Sequence, residues 1–192
     1  INAFNFMDGL DGFATTQALC VVTGIGLLAG IQADGFVFMP LVWLCLLATA
    51  PLLAFLVFNW PPASLFMGDS GAVSIGFFLG ALAVLAGQTS WSLAAAWLIL
   101  MAPFLVDTGV TLALRTWAGH MPHVAHSDHA YQRLARSTGS ATTVTVGLLV
   151  LQGIWQMPLA CWAVASDVSL WIPVFFSLIP PILFLVVARR IV

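Results

Sequence analysis

Three stretches of this sequence gather residue types able to do phosphate chemistry. The first, Asn2-Ala3-Phe4-Asn5-Phe6-Met7-Asp8-Gly9-Leu10-Asp11-Gly12, leads straight into an apolar run. Two carboxylates three residues apart, each followed by glycine, make a compact oxygen-rich turn whose backbone N–H groups can approach a ligand closely. The plainer reading has Asp11 as the N-cap of the next helix. Capping accounts for one Asp and one Gly, which leaves Asn2, Asn5, Asp8 and Gly9 to a binding role. The second stretch, Phe66-Met67-Gly68-Asp69-Ser70-Gly71, follows Pro61-Pro62 and opens another apolar run. A helix N-terminus is a ready anion site, and a carboxylate beside it can hold Mg²⁺ against a diphosphate. Asp69 or Ser70 as a simple N-cap is the alternative.

The third stretch runs from His120 to Arg136 and carries His120, His123, His126 and His129 at a strict interval of three. That pattern invites zinc, but zinc sites usually recruit Cys or carboxylate partners into a closed geometry, and Pro122 interrupts any helix through the first pair. Imidazoles together with Arg133 and Arg136 make a cationic surface suited to phosphate or sugar oxygens. A basic juxtamembrane loop resting on anionic lipid heads is the bland alternative. Asp107 stands eight residues before Arg115, ~12 Å along a helix. A carboxylate that deep is either functional or a structural hydrogen-bond partner, and both roles stay open.

The elements that position these groups follow from composition. Of the 192 residues 61% are hydrophobic and 6% charged, against about a quarter charged in soluble domains, so a water-soluble fold is excluded. A net charge of −2 with no basic cluster away from the membrane ends gives no support to nucleic-acid binding. Cys20, Cys45 and Cys161 each lie inside an apolar run, where cysteine behaves as a small hydrophobe. Apolar runs near 13–33, 36–60, 71–88, 91–114, 141–163 and 168–188 each suffice to cross a bilayer. The expectation is an all-α, polytopic membrane bundle of about six helices forming a single transmembrane domain over 1–192. A barrel would need alternation that is absent.

Six crossings put segments 1–12, 61–70, 115–140 and 189–192 on one side, with 34–35, 88–90 and 164–167 opposite. All five Arg fall on the first side, which the positive-inside rule makes cytoplasmic. Trp60, Trp91, Trp117, Trp162 and Trp171 lie near the span ends, as an aromatic belt requires. The histidines and Asp8, Asp11, Asp69 and Asp128 gather on that same side. A transporter would instead place polar groups near the midplane.

These motifs, in this order, resemble the polyprenyl-phosphate N-acetylhexosamine 1-phosphate transferase family, also called glycosyl transferase family 4. The ending His126-x-x-His129-Ala130-Tyr131-Gln132-Arg133-Leu134 is most similar to the branch that initiates O-antigen and related surface polysaccharides. The resemblance implies a multi-pass enzyme of the bacterial inner membrane in which a lipid phosphate, undecaprenyl phosphate, attacks the β-phosphorus of a UDP-sugar and UMP leaves. It implies Mg²⁺, with Mn²⁺ as its substitute. It makes Asp69 the metal ligand and Phe66 the ring that stacks on uracil. Asp8, Gly9, Leu10 and Asp11, with Asn2 and Asn5 beside them, become the nucleotide loop. His123, His126, His129 and Arg133 become contacts to diphosphate and sugar, with His126 joining Asp8, Asp11 and Asp69 as catalytic candidates. Family members carry adjacent aspartates on an earlier loop, so the expectation is that these residues are the C-terminal part of a protein of 10 or 11 spans.

Two rival families fit the sequence less well. A CDP-alcohol phosphatidyltransferase needs Asp-Gly-x-x-Asp-Gly-x-x-Ala-Arg; here the first spacing is one residue shorter and Ala-Arg is absent. A transporter would show midplane charge, to which only Asp107 points.

Overall fold

Apolar runs of about 20 residues can satisfy their backbone groups in hydrocarbon only by coiling into helices. The structure, a computed structural model, describes residues 1–32, 39–119 and 129–191, and no strand occurs among them. Its elements are α1 (Asn2–Asn5), α2 (Phe13–Ile31), α3 (Met39–Asn59), α4 (Gly68–Thr89), α5 (Trp91–Trp117), α6 (Ala130–Thr138), α7 (Ala141–Leu151), α8 (Met157–Ala165) and α9 (Trp171–Ile191). A π-helical turn, Gln152–Gln156, joins α7 to α8 without a break.

Among the described residues six rods are long and apolar enough to cross a membrane: α2, α3, α4, α5, the continuous Ala141–Ala165 segment and α9. They coincide with the six expected spans, and the chain is a multi-pass membrane protein. The segment 115–140, expected as a loop, instead contains the last turn of α5 and the separate helix α6. A short amphipathic helix has no long apolar run to announce it.

Helix α2 is central and packs against α3, α4, α5 and α7. Its Ala18, Val21, Val22, Ile25 and Ala29 are fully buried, against partners such as Ile99, Leu100 and Phe104 of α5. The outer faces of the other helices stay apolar and open: Leu47, Val57, Phe77 and Phe175 are exposed. So much large apolar surface suits lipid and not water. Trp91, Trp117 and Trp171 project from helix ends, as amphipathic rings do at an interface.

Prolines inside α5 and α9 remove backbone donors, and in α9 each gap has a local answer. Pro180 and Pro181 cannot bond the carbonyls four residues back, those of Phe176 and Ser177. The π turn supplies substitutes: Trp155 Nε1 donates to the Phe176 carbonyl at 3.1 Å, and Gln156 Nε2 to that of Ser177 at 3.1 Å. Near Pro103 of α5, the Leu100 carbonyl accepts from Gln17 Nε2 at 2.8 Å and Gln152 Nε2 at 2.9 Å. Gln152 Nε2 also reaches Gln17 Oε1 at 2.7 Å. These neutral amides are buried polar groups inside the spans, and their bonds stitch kinked helices together.

At one end of the bundle the polar segments meet. The Asp11 carboxylate accepts from the Ala63 amide, and Tyr131 Oη donates to the Phe6 carbonyl. Ala188, at the end of α9, packs on Ala130. Segments 1–12, 61–70, α6 and the Arg-bearing end of α9 therefore share one face of the bundle.

Candidate active site

The acidic loop between α1 and α2 is shaped by glycine and by one asparagine. Gly12 adopts a φ of 70°, in the left-handed region that glycine tolerates without strain. Its N–H donates to Asn59 Oδ1 at 3.1 Å, and Thr15 Oγ1 donates to the same oxygen at 2.7 Å. Asn59 Nδ2 in turn donates to the Leu65 carbonyl at 2.9 Å. This buried side chain at the end of α3 thus joins the acidic loop to the segment carrying Phe66 and Asp69. In the sequence Asn59 looks like the polar stop of an apolar span, so nothing local marks it as a hub.

Asp11 does not cap α2. Gly12 holds the cap position with no side-chain bond, while Asp11 Oδ2 accepts from the Ala63 N–H at 3.0 Å. The Asp11 carbonyl accepts from Thr145 Oγ1 at 3.1 Å, which ties the loop to α7. Its side chain therefore holds the Pro61-Pro62 turn while still lining the cleft beside it.

That cleft, of roughly 330 Å³, brings Asp8 and Asp69 together from motifs far apart in the chain, with Asn5, Gly9, Leu10 and Phe66 on its walls. Asp69 lies in the first turn of α4, is exposed, and makes no hydrogen bond among the described residues. The cap position of α4 belongs to Met67, without a side-chain bond, so the capping alternative for Asp69 has no support in the geometry. Asp8 is half-buried. Burial first, and then the like charge of Asp69, pushes its carboxyl up to about 6. Two carboxylates facing one open cleft repel each other unless a cation lies between them.

That arrangement suits a divalent cation. Among the described residues no group of three or more His, Cys, Asp or Glu is close enough to hold a metal alone. Mg²⁺ usually needs only one or two carboxylates, taking its remaining oxygens from water and substrate phosphates. Asp8 and Asp69 meet that requirement. Phe66, 71% exposed on the rim, offers a bare aromatic face to a flat ring.

Asp107 has the opposite surroundings. Its Oδ1 accepts from the Ala130 N–H at 3.1 Å and Thr111 Oγ1 at 3.1 Å, and lies 3.2 Å from His129 Nδ1. Its Oδ2 accepts from the Tyr131 N–H at 3.2 Å. A carboxylate of α5 thus satisfies the free amides at the start of α6, a cap supplied from another helix. Of the two roles left open for Asp107, the geometry assigns it the structural one.

The remaining sequence candidates divide. His129 is 1% exposed and lies behind the acidic loop, its ring stacked on Phe6 at 6.3 Å. The structure thus pairs it with Asp107 and does not bring it to the cleft. Asn2 is exposed on α1, and neither it nor Arg133 lines the cleft. Instead Gln132 and Arg136 border a second groove of about 460 Å³ on the far side of Gly9 and Leu10. His120, His123, His126 and Asp128 lie outside the described residues. Sequence reasoning missed Asn59 and Tyr131. The polar pair Tyr131-Gln132 just after the histidines was the only local signal for the second.

Comparison with known proteins bears directly on this cleft. Decaprenyl-phosphate N-acetylglucosaminephosphotransferase of Mycolicibacterium smegmatis is 37% identical over 153 residues, 70% of this chain and 37% of that protein. Phospho-N-acetylmuramoyl-pentapeptide-transferase of a Wolbachia strain from Drosophila simulans is 45% identical over 85 residues, 44% of this chain and 25% of that protein. The enzyme of the same name from Streptococcus thermophilus is 24% identical over 177 residues, 88% of this chain and 48% of its own. The chain spans between a quarter and about half the length of these relatives. Residues 1–87, which hold both acidic motifs and the whole Asp8–Asp69 cleft, match the family model of glycosyl transferase family 4, the family that the motifs resemble.

Proposed function

We propose that this chain carries the donor-binding and metal-binding face of an enzyme that transfers an N-acetylhexosamine 1-phosphate from a UDP-sugar to a polyprenyl phosphate. The observation that carries the reading is the convergence of Asp8, Asp69 and Phe66 on one cleft, assembled from two distant motifs. The names of the relatives support a polyprenyl-phosphate acceptor and a sugar-phosphate donor.

Phe66 stacks on the uracil, and the N–H groups and side-chain amides around Asn5 and Gly9 receive the nucleotide. Asp8 and Asp69 hold Mg²⁺, or Mn²⁺ in its place, which supplies positive charge against the diphosphate oxygens. An oxygen of the lipid phosphate forms a new bond to the β-phosphorus while the α–β anhydride bond breaks, so UMP leaves and a lipid diphosphate sugar forms. One diphosphate replaces another, which makes the exchange close to thermoneutral and reversible. Asp11 keeps the Pro61-Pro62 turn against the acidic loop, and His123 and His126 contribute contacts to diphosphate and sugar.

All five Arg belong to segments on the cleft's face or leading into it, so the positive-inside rule puts that face in the cytoplasm, as an inner-membrane enzyme using a soluble nucleotide requires. Initiation of a surface polysaccharide is the pathway role that the Tyr131-Gln132-Arg133-Leu134 ending favours.

The test is incorporation of labelled UMP into UDP-N-acetylhexosamine by the intact protein in membranes, with and without Mg²⁺. Exchange that needs both the cation and polyprenyl phosphate is the expected result. Release of CMP from a CDP-alcohol, or no nucleotide turnover at all, would replace the reading with a phosphatidyltransferase or a transporter.

A further inference from the structure

One hydroxyl reaches the chain on both sides of Asp8. Tyr131 Oη donates to the Phe6 carbonyl at 3.0 Å, and the backbone of Gly9 packs directly against the same hydroxyl. Phe6 and Gly9 bracket Met7 and Asp8, so a single atom closes the turn that presents the carboxylate. Gly9 is required here for space. Its φ lies outside the left-handed region, but a methyl group on it would collide with the Tyr131 hydroxyl and would meet Gln132 Nε2 at 2.7 Å.

The ring that carries the hydroxyl is held from several sides. Tyr131 is 1% exposed and stacks on Phe13 with centroids 4.7 Å apart and planes inclined by 10°. Its backbone N–H is bonded to Asp107 Oδ2. The hydroxyl therefore sits at a fixed point defined by α2, α5 and α6 together, and the acidic loop is fastened to that point.

We propose that Tyr131 is a positioning residue for Asp8: anchored to α5 through Asp107, it fixes the curvature of residues 6–9 and so sets the Asp8 carboxylate beside Asp69 in the cleft. The residue touches no substrate. It transmits the position of α6, and of the chain leaving the histidine segment, to the acidic loop. The kinetic part of its test rests on the transfer reading above; the geometric part does not.

The test uses Tyr131→Phe in the intact protein, which keeps the stacked ring and deletes the hydroxyl with its bond to the Phe6 carbonyl and its contact with Gly9. Hydrogen exchange across residues 6–11 rises about tenfold, while the first turn of α6 keeps wild-type protection because Asp107 still caps it. In labelled-UMP exchange, kcat falls about tenfold with the donor KM within about twofold, the signature of a group acting on the transition state. Gly9→Ala lowers kcat in the wild-type background, yet adds less than about twofold in the Tyr131→Phe background, where the rigidly held hydroxyl is gone and the remaining close neighbour, Gln132 Nε2, is the end of a flexible side chain that can swing aside. Wild-type loop exchange in Tyr131→Phe overturns the proposal, as does exchange that rises evenly through α2 and α6, which marks general destabilisation. If wild-type protein shows no UMP exchange, the transfer reading fails, and the hydrogen-exchange arm alone decides the role of Tyr131.

Discussion

Asp107 and the Asp8–Asp69 pair are carboxylates of the same protein, near the same end of the bundle, in opposite conditions. Asp107 is buried and both its oxygens are engaged, with two backbone amides, a hydroxyl and an imidazole around them. Asp69 makes no hydrogen bond among the described residues, and Asp8 is held half-buried beside it, where burial and repulsion oppose its charge. A saturated carboxylate holds structure together. One left without partners, next to a second of like charge, costs stability in the empty protein and is poised to gain from a cation and the phosphates it carries.

The contrast breaks most severely if Asp69 proves dispensable. Asp69→Asn keeps the shape, so a role in folding alone predicts a change of at most about 1 kcal/mol and near-normal turnover. The metal role predicts at least a hundredfold loss of labelled-UMP exchange, about 3 kcal/mol in barrier, with thermal stability unchanged. Near-normal exchange at matched expression would return the metal to Asp8 or Asp11.

Asp107→Asn probes the other side of the comparison. It replaces charge-assisted bonds to the α6 amides by weaker ones and turns one acceptor oxygen into a donor facing other donors. A loss of about 2 kcal/mol follows, read as a lower Tm and faster hydrogen exchange in α6. Unchanged protection of residues 130–133 would show that the cap is decorative.

The smallest effect has the opposite sign. Asp8 binds its proton more tightly folded than unfolded, with its carboxyl raised from 3.8 to about 6. Across roughly pH 4 to 6 the folded state therefore holds more protons, and stability falls as pH rises. Asp8→Asn removes that slope and raises stability at pH 7 by about 1 kcal/mol, after allowance for the solvent that partly screens the group. The gain, read without added metal ion, disappears near pH 4, and in the presence of Mg²⁺ the same substitution loses exchange activity. Thermal melts of both proteins at pH 4, 5, 6 and 7 read it directly, and parallel curves would deny that Asp8 is destabilising.

The spans were legible because a run of apolar residues in lipid has only one economical backbone solution. The acidic cleft was legible because its carboxylates, Asp8 and Asp69, are rare residue types in so apolar a chain and come, with Gly9 and Phe66, in two compact motifs. Asn59 and Tyr131 were not, since each is a single side chain whose meaning lies in distant partners: Gly12 and Thr15 for one, Phe6 and Gly9 for the other. Asp107 was visible as an oddity, but choosing between chemistry and capping needed the position of α6. His129 shows the reverse error of pattern. Its equal spacing with three other histidines suggested a shared task, whereas its ring is turned inward to Asp107.

The tandem prolines of α9 have a consequence for how the protein enters the membrane. A lone α9 would expose the Phe176 and Ser177 carbonyls to hydrocarbon with no donor, at a cost of up to several kcal/mol each. Trp155 and Gln156, which answer them, belong to the rod immediately before, across a connection from Ser166 to Leu170. The Ala141–Ala165 rod and α9 are thus suited to leave the translocon together, as a helical hairpin whose first arm completes the hydrogen bonding of the second before either meets the rest of the bundle.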